Sequence, residues 1–269
     1  MSIRIRVAEL PGGVHLPYAE HGDPTGTPVL MLHGWSDSWR SFEGVMPHLP
    51  TSIRALALTV RGHADTSGPE SHTISDTSAD VAAFLDAVGV ESAVIAGHSM
   101  GSIVAQRVAL DHPDRVAGLV LMGARPTFDR PNLHELFAAV AELTDPVDPV
   151  FIRDFQESTV VQPVAPGLID MAVSESQKLT ADVWRQLMDG VIRVDLSAEL
   201  PSIAVPTLVI AGECDDVAPL GDAGEVAALI PGARLAIYDD AGHAMHWEDP
   251  ARVAGDMAAF ARDSAAVAI

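Results

Sequence analysis

Short runs of continuous apolar residues alternate along the chain with stretches of helical period. The first residues, Met1-Ser2-Ile3-Arg4-Ile5-Arg6, alternate apolar with polar positions, and residues 3–10 and 14–21 form a predicted hairpin around Pro11-Gly12-Gly13. Residues 28–32 and 54–60 are apolar at nearly every position, the pattern of strands covered on both faces. Between them, residues 38–49 read as a short helix. Residues 77–88 carry Val81, Phe84, Leu85 and Val88 at i, i+3, i+4 and i+7, one apolar stripe that Gly89 closes. A buried strand, Val94-Ile95-Ala96, then runs into Gly97-His98-Ser99-Met100-Gly101, and a helix from Met100 to about Leu110 stops at His112-Pro113. Residues 118–122 are the next strand.

This alternation argues for a mostly parallel, doubly wound sheet with right-handed crossovers, whose ligands bind at the carboxyl ends of the strands. The pattern changes over residues 125–197, where strand-like runs vanish and prolines at 131, 146, 149, 163 and 166 punctuate segments of helical period. Helices are expected around 133–143, 149–159, 167–178 and 181–194, an all-helical cap inserted into a core made of residues 1–124 and 198–269. The sheet resumes at 206–211, followed by a helix near 221–229 and a strand at 234–238. Asp249-Pro250 opens a last helix, with Val253, Met257 and Phe260 on its buried stripe.

Composition narrows the function classes. The 269 residues are 48% hydrophobic, but no uninterrupted apolar run approaches the roughly 20 residues that a bilayer span needs. The N-terminus lacks the apolar centre and cleavage site of a secretory signal, so a cytoplasmic location is expected. Cys214 is the sole cysteine, which excludes an intrachain disulfide and a thiolate metal cage. A formal charge of −21 disfavours nucleic acid and anionic membranes as partners and counts against a strongly anionic substrate; a small-molecule substrate is expected. Oligomeric state is left open.

The glycine-bracketed serine is the chemical focus. Placed at a sharp strand-to-helix turn, Ser99 lifts its hydroxyl clear of the sheet, and the helix behind it points unpaired N–H groups at developing charge. Asp215 and His243 follow the strands at 206–211 and 234–238, so three candidate groups fall at three strand ends in the order Ser, Asp, His. Through His33-Gly34-Trp35, Arg61-Gly62-His63, Gly97-His98-Ser99-Met100-Gly101, Gly212-Glu213-Cys214-Asp215 and Gly242-His243, the chain resembles the serine-nucleophile, esterase- and lactonase-like branch of the α/β-hydrolase family. The resemblance spans all but the cap and implies a sheet of the eight-stranded type.

The resemblance also implies roles. Ser99 would be the nucleophile, and His243 the base that takes its proton, since imidazole exchanges protons near neutral pH. Asp215 would fix the imidazole tautomer; its neighbour Asp216 is the rival, set aside because Asp215 lies three residues from Gly212, as the family pattern has it. Backbone N–H groups of Trp35 and Met100 would form the oxyanion hole, where losing one donor raises a barrier by on the order of 3 kcal/mol. Trp35, Phe155 and Trp184 are the candidate substrate contacts. No cofactor is called for. The His243/His246 spacing could suit a metal, but no third ligand is evident, so no metal site is expected; His33 and His63 are expected to brace their loops.

The reaction expected is cleavage of an ester or lactone of a fairly apolar small molecule through an acyl-enzyme. Carbon–carbon bond hydrolysis, amide cleavage and cofactor-free perhydrolysis use the same triad and are not separated by these motifs. A ligand-binding receptor built on the hydrolase fold is the alternative of another class. An aspartate nucleophile, as in epoxide hydrolases and haloalkane dehalogenases of the fold, is disfavoured by Ser99.

Overall fold

A computed structural model describes residues 2–68 and 71–267. Its eight strands are β1 (Arg4–Leu10), β2 (Val14–His21), β3 (Thr27–Leu32), β4 (Ile53–Leu58), β5 (Ala93–His98), β6 (Val116–Met122), β7 (Thr207–Gly212) and β8 (Arg234–Tyr238). They form one sheet in the order β1-β2-β4-β3-β5-β6-β7-β8. β2 pairs antiparallel with β1 and with β4, and every pairing from β4 to β8 is parallel. The strand reversal at β3 and β5 puts the carboxyl ends of the two central strands side by side, where α/β sheets bind their ligands.

The continuous apolar runs are explained by what each face meets. Leu30, Leu32, Leu56, Leu58, Ile95, Leu119 and Leu121 pack on one side against α1 (Ile74–Ala87) and α2 (Met100–Asp111), through Val81, Phe84, Leu85, Ile103, Val104 and Val108. The alternate residues Val29, Met31, Ala55, Ala57, Val94, Ala96, Val120 and Met122 pack on the other with Phe42, Met46 and three residues of the C-terminal helix, Val253, Met257 and Phe260. Strand period 2 is therefore preserved inside sequences with no polar alternation. Each fully buried Leu, Ile or Val contributes roughly 1.5–3 kcal/mol, so much of the folding free energy resides in the sheet that carries the site.

Four helices lie between β6 and β7: α3 (His134–Ala141), α4 (Pro149–Ser158), α5 (Leu168–Ser176) and α6 (Ala181–Ile192). Asp148 accepts the Val150 N–H at 2.8 Å and Thr180 caps Val183, so two of them begin on side-chain caps. Val140, Ile152, Trp184, Leu187 and Met188 form their shared core. After β7 come α7 (Leu220–Leu229), the one-turn α8 (Met245–Glu248) and α9 (Pro250–Val267).

The helix expected over 38–49 is replaced by two 3₁₀ turns, Trp39–Phe42 and Met46–His48. Gly44 separates them, and Pro47 has no N–H to continue an α ladder and restricts the residue before it. The short α8 was not legible, because its four residues span barely one turn. α1 begins three residues before the expected 77: Thr73 caps it by accepting the Asp76 N–H at 3.1 Å, ahead of the apolar stripe.

Candidate active site

Ser99 sits between β5 and α2 at φ 53°, ψ −118°, a conformation rare for an L side chain. Its flanking glycines are required by contact distance. A Cβ on residue 97 would lie 2.1 Å from the Gly101 carbonyl oxygen, and one on residue 101 would lie 2.2 Å from that of Leu32. The strained turn is held by backbone bonds: the Ser99 N–H donates to Met122 O at 2.9 Å, and Ser102 donates to Ser99 O through its N–H at 2.8 Å and its hydroxyl at 2.6 Å.

His243 follows β8 and Asp215 follows β7, and their side chains meet at 2.8 Å, His243 Nδ1 to Asp215 Oδ2. Both are buried. The other carboxylate oxygen accepts the N–H groups of Val217 at 2.9 Å and Ala218 at 2.7 Å, so the carboxylate has no freedom to turn away. With Nδ1–H donating to Asp215, His243 Nε2 is left as the acceptor facing the cavity. Asp216 is exposed, and among the described residues only its backbone carbonyl is engaged, by Asn132 at 2.9 Å. Ser99 and His243 line one cavity, but no hydrogen bond joins the Ser99 hydroxyl to His243 among the described residues. Such bonds commonly tighten only when substrate fills the site.

Two more groups place the imidazole. His98 Nε2–H donates to the His243 carbonyl at 3.0 Å. Burial, reinforced by the neighbouring His246 and His243 rings, holds the His98 pKa well below 6.5, so it braces this loop as a neutral ring. Gly123, just past β6 at φ 54°, leaves the space in which the His243 ring lies. His33 does similar work in the opposite loop, donating from Nδ1 to Gly34 O at 2.7 Å and accepting the Val60 N–H at 3.1 Å on Nε2. His63 donates to Arg61 O at 2.9 Å and meets the His33 ring edge-on. His246 is turned to Ser41 Oγ at 2.8 Å.

The N–H groups of Trp35 and Met100 have no protein acceptor among the described residues. Met100 owes this to its place at the first turn of α2, and Trp35 to an irregular loop after β3. Two unused donors on residues that line the same cavity as Ser99 can stabilise an oxyanion.

The cavity above Ser99 is narrow, with a volume of about 50 Å³. Phe128, Leu133, Phe137, Met188 and Val191 make it apolar, while Asp37, Gln156 and Thr159 add polar groups. Trp35 and Phe155 line it. Trp184 does not: it is fully buried behind Trp35, with ring centroids 4.6 Å apart, because the inserted helices need a large side chain at their own centre. Gly123, Asp37 and Gln156 escaped the sequence reading. Gly123 had a weak signal, a glycine ending an apolar run; Gln156 had none, since one polar residue in an amphipathic helix is ordinary.

Asp37 is buried, and desolvation raises its pKa to about 7. Hydrogen bonds from Gln156 and Ser41 oppose that rise, and the nearby Glu175 carboxylate adds to it.

Residues 29–256 match the family model described as the alpha/beta hydrolase family. The chain is 30% identical to the non-heme chloroperoxidase of Streptomyces lividans, covering 93% of this chain and 97% of that protein. It is 29% identical to the bifunctional esterase/perhydrolase of Acinetobacter calcoaceticus, over 93% and 97%. A thermophilic esterase from Thermogutta terrifontis, solved with malate bound, superposes with a TM-score of 0.85 at 26% identity, over 97% of this chain and 99% of that one.

Proposed function

The chain belongs to the α/β-hydrolase family, and from that premise we propose that it is a serine hydrolase that cleaves a carboxylic ester of a fairly apolar small molecule through an acyl-enzyme. The observation that carries the reading is the convergence on one cavity of Ser99 on its strained turn, His243 bonded to Asp215, and two unused backbone donors.

In this reading the Ser99 oxygen attacks the ester carbonyl as His243 Nε2 takes its proton. Negative charge gathers on the former carbonyl oxygen, within reach of the Trp35 and Met100 N–H groups. Asp215 stabilises the imidazolium and keeps the tautomer correct. The imidazolium returns its proton to the departing alkoxide, leaving an acyl-serine; a water activated by the same imidazole then releases the acid and restores the hydroxyl. Every step uses only protein groups and water. The helices of residues 125–197 act as a cap whose apolar lining favours an uncharged acyl or alkoxy group.

A second reading is perhydrolysis, in which hydrogen peroxide replaces water as the nucleophile that releases the acyl group as a peracid. It is supported by similarity to proteins named as a chloroperoxidase and as an esterase/perhydrolase. A panel of p-nitrophenyl esters, with and without hydrogen peroxide, tests both: turnover abolished by Ser99→Ala is expected, and peracid formation separates the second reading from the first. An enzyme inert toward every ester would contradict both.

A further inference from the structure

Ser36 and Asp37, the two residues that follow Trp35, are tied to the cap by a buried polar network that the proposed chemistry does not use. Gln156 on α4 is 1% exposed. Its Nε2 lies 3.3 Å from Ser36 Oγ, 3.1 Å from Asp37 Oδ1 and 3.1 Å from Ser176 Oγ on α5. Ser176 Oγ in turn is 3.1 Å from the Ser36 carbonyl oxygen and 3.1 Å from Ser36 Oγ. Ser36 itself is fully buried and sits at φ 66°, in the left-handed region. A non-glycine residue persists there only when its surroundings hold it, and what holds it comes from two cap helices.

The same helix is anchored on the other side of the serine. The Thr159 carbonyl at the end of α4 accepts the Ala244 N–H at 2.8 Å, next to His243. The Thr159 hydroxyl closes back onto the Gln156 carbonyl at 2.7 Å. One short helix is thus bonded to the loop that carries Trp35 and to the loop that carries His243, and the Gln156 amide projects from a fixed platform.

We propose that Gln156 is a positioning residue: it transmits the docking of the cap to the loop after β3 and so sets the direction of the Trp35 N–H. Resting on the reading of Trp35 as an oxyanion donor, it means that the cap completes the catalytic geometry as well as walling the pocket. Without the amide, Ser36 relaxes toward an ordinary conformation and the adjacent donor turns off its line. A shift of about 1 Å in such a group costs on the order of 100-fold in rate.

The test is steady-state kinetics of the full chain on p-nitrophenyl acetate, whose two-carbon acyl group is too short to depend on cap packing, and on p-nitrophenyl hexanoate. Gln156→Leu, of similar length with no donor, is expected to lower kcat on both esters at least tenfold with KM for the acetate within about twofold. Should the Leu variant fail to fold, Ser176→Ala removes the second tie to Ser36 and is expected to lower kcat in the same manner, whereas Ser176→Thr, which keeps the hydroxyl, restores it. Unchanged kcat on the acetate in folded Gln156→Leu or Ser176→Ala, with only KM for the hexanoate raised, would overturn the proposal and make Gln156 a pocket wall. Failure of the unaltered protein to turn over either ester would instead contradict the ester-hydrolase reading on which the proposal rests.

Discussion

Gly123 and His243 are matched in space: a Cβ built on residue 123 would lie 2.8 Å from His243 Cε1 and 2.9 Å from its Nδ1. The glycine also holds φ at 54°, so a side chain there is unfavourable twice over. Gly123→Ala is therefore expected to push the imidazole off its bond to Asp215. Ester turnover should fall by on the order of 100-fold, mainly in kcat, while the urea midpoint drops by far less than global unfolding requires. An active Gly123→Ala enzyme would show that the ring tolerates displacement.

Asp215 and Asp216 are adjacent in sequence and opposite in environment. Asp215 is buried against His243, whereas Asp216 is exposed. Asp215→Asn keeps the size but presents an amide to the ring, and the tautomer with Nε2 as acceptor is no longer favoured. A loss of kcat of roughly 10³–10⁴ is expected, against a change within about twofold for Asp216→Asn. Comparable losses in the two variants would undo the assignment.

Five buried histidines make the fold sensitive to acid. Burial holds His63 at about 4 and His246 at about 3, keeps His33 and His98 well below 6.5, and lowers His21 as well. The unfolded chain binds these protons near pH 6.5 and the folded protein does not, so the stability they contribute is full above pH 6.5 and is lost as pH falls toward 4. Each such group lowers unfolding free energy by about 1.4 kcal/mol per pH unit inside its window. Urea titrations between pH 6 and pH 5 should report a net uptake of at least two protons on unfolding; a flat profile would contradict the neutral, buried state of these rings.

Asp37 works with the opposite sign. Its carboxyl titrates near 7 in the folded protein, so the folded state binds the extra proton, and stability declines as pH rises from about 4 through about 7. The groups around it are Gln156 on α4, Glu175 on α5 with its partner Lys178, and Ser41 with His246 behind it. Asp37→Asn removes the titration while its side-chain oxygen still accepts from Gln156. The variant should gain on the unaltered protein between pH 5 and pH 8 by at most about 3 kcal/mol. Parallel stability curves for the two proteins would show that the carboxyl ionises normally.

The sheet was readable because its central strands are almost wholly apolar and its helices carry single stripes; the two faces of β3 and β5 pack against α1, α2 and α9 through apolar side chains. The candidate residues were readable because Ser99, Asp215 and His243 follow strand ends, each within three residues of a glycine. What was hidden depends on approach between distant segments. Nothing local in Gln156 tells that it reaches Ser36, 120 positions away. Nothing local in Trp184 distinguishes a pocket wall from the centre of the helices between β6 and β7, because both demand a large apolar ring. The misread stretch at 38–49 failed for a local reason, Gly44 and Pro47, whose helix-breaking weight outruns its apolar periodicity.

Reaction of the intact protein with a fluorophosphonate probe, followed by peptide mass analysis, tests the central claim most directly. The account predicts one equivalent of covalent label on Ser99, lost in Ser99→Ala and strongly slowed in His243→Ala. A protein that stays unlabelled at millimolar probe, or one labelled elsewhere with Ser99 untouched, would contradict it.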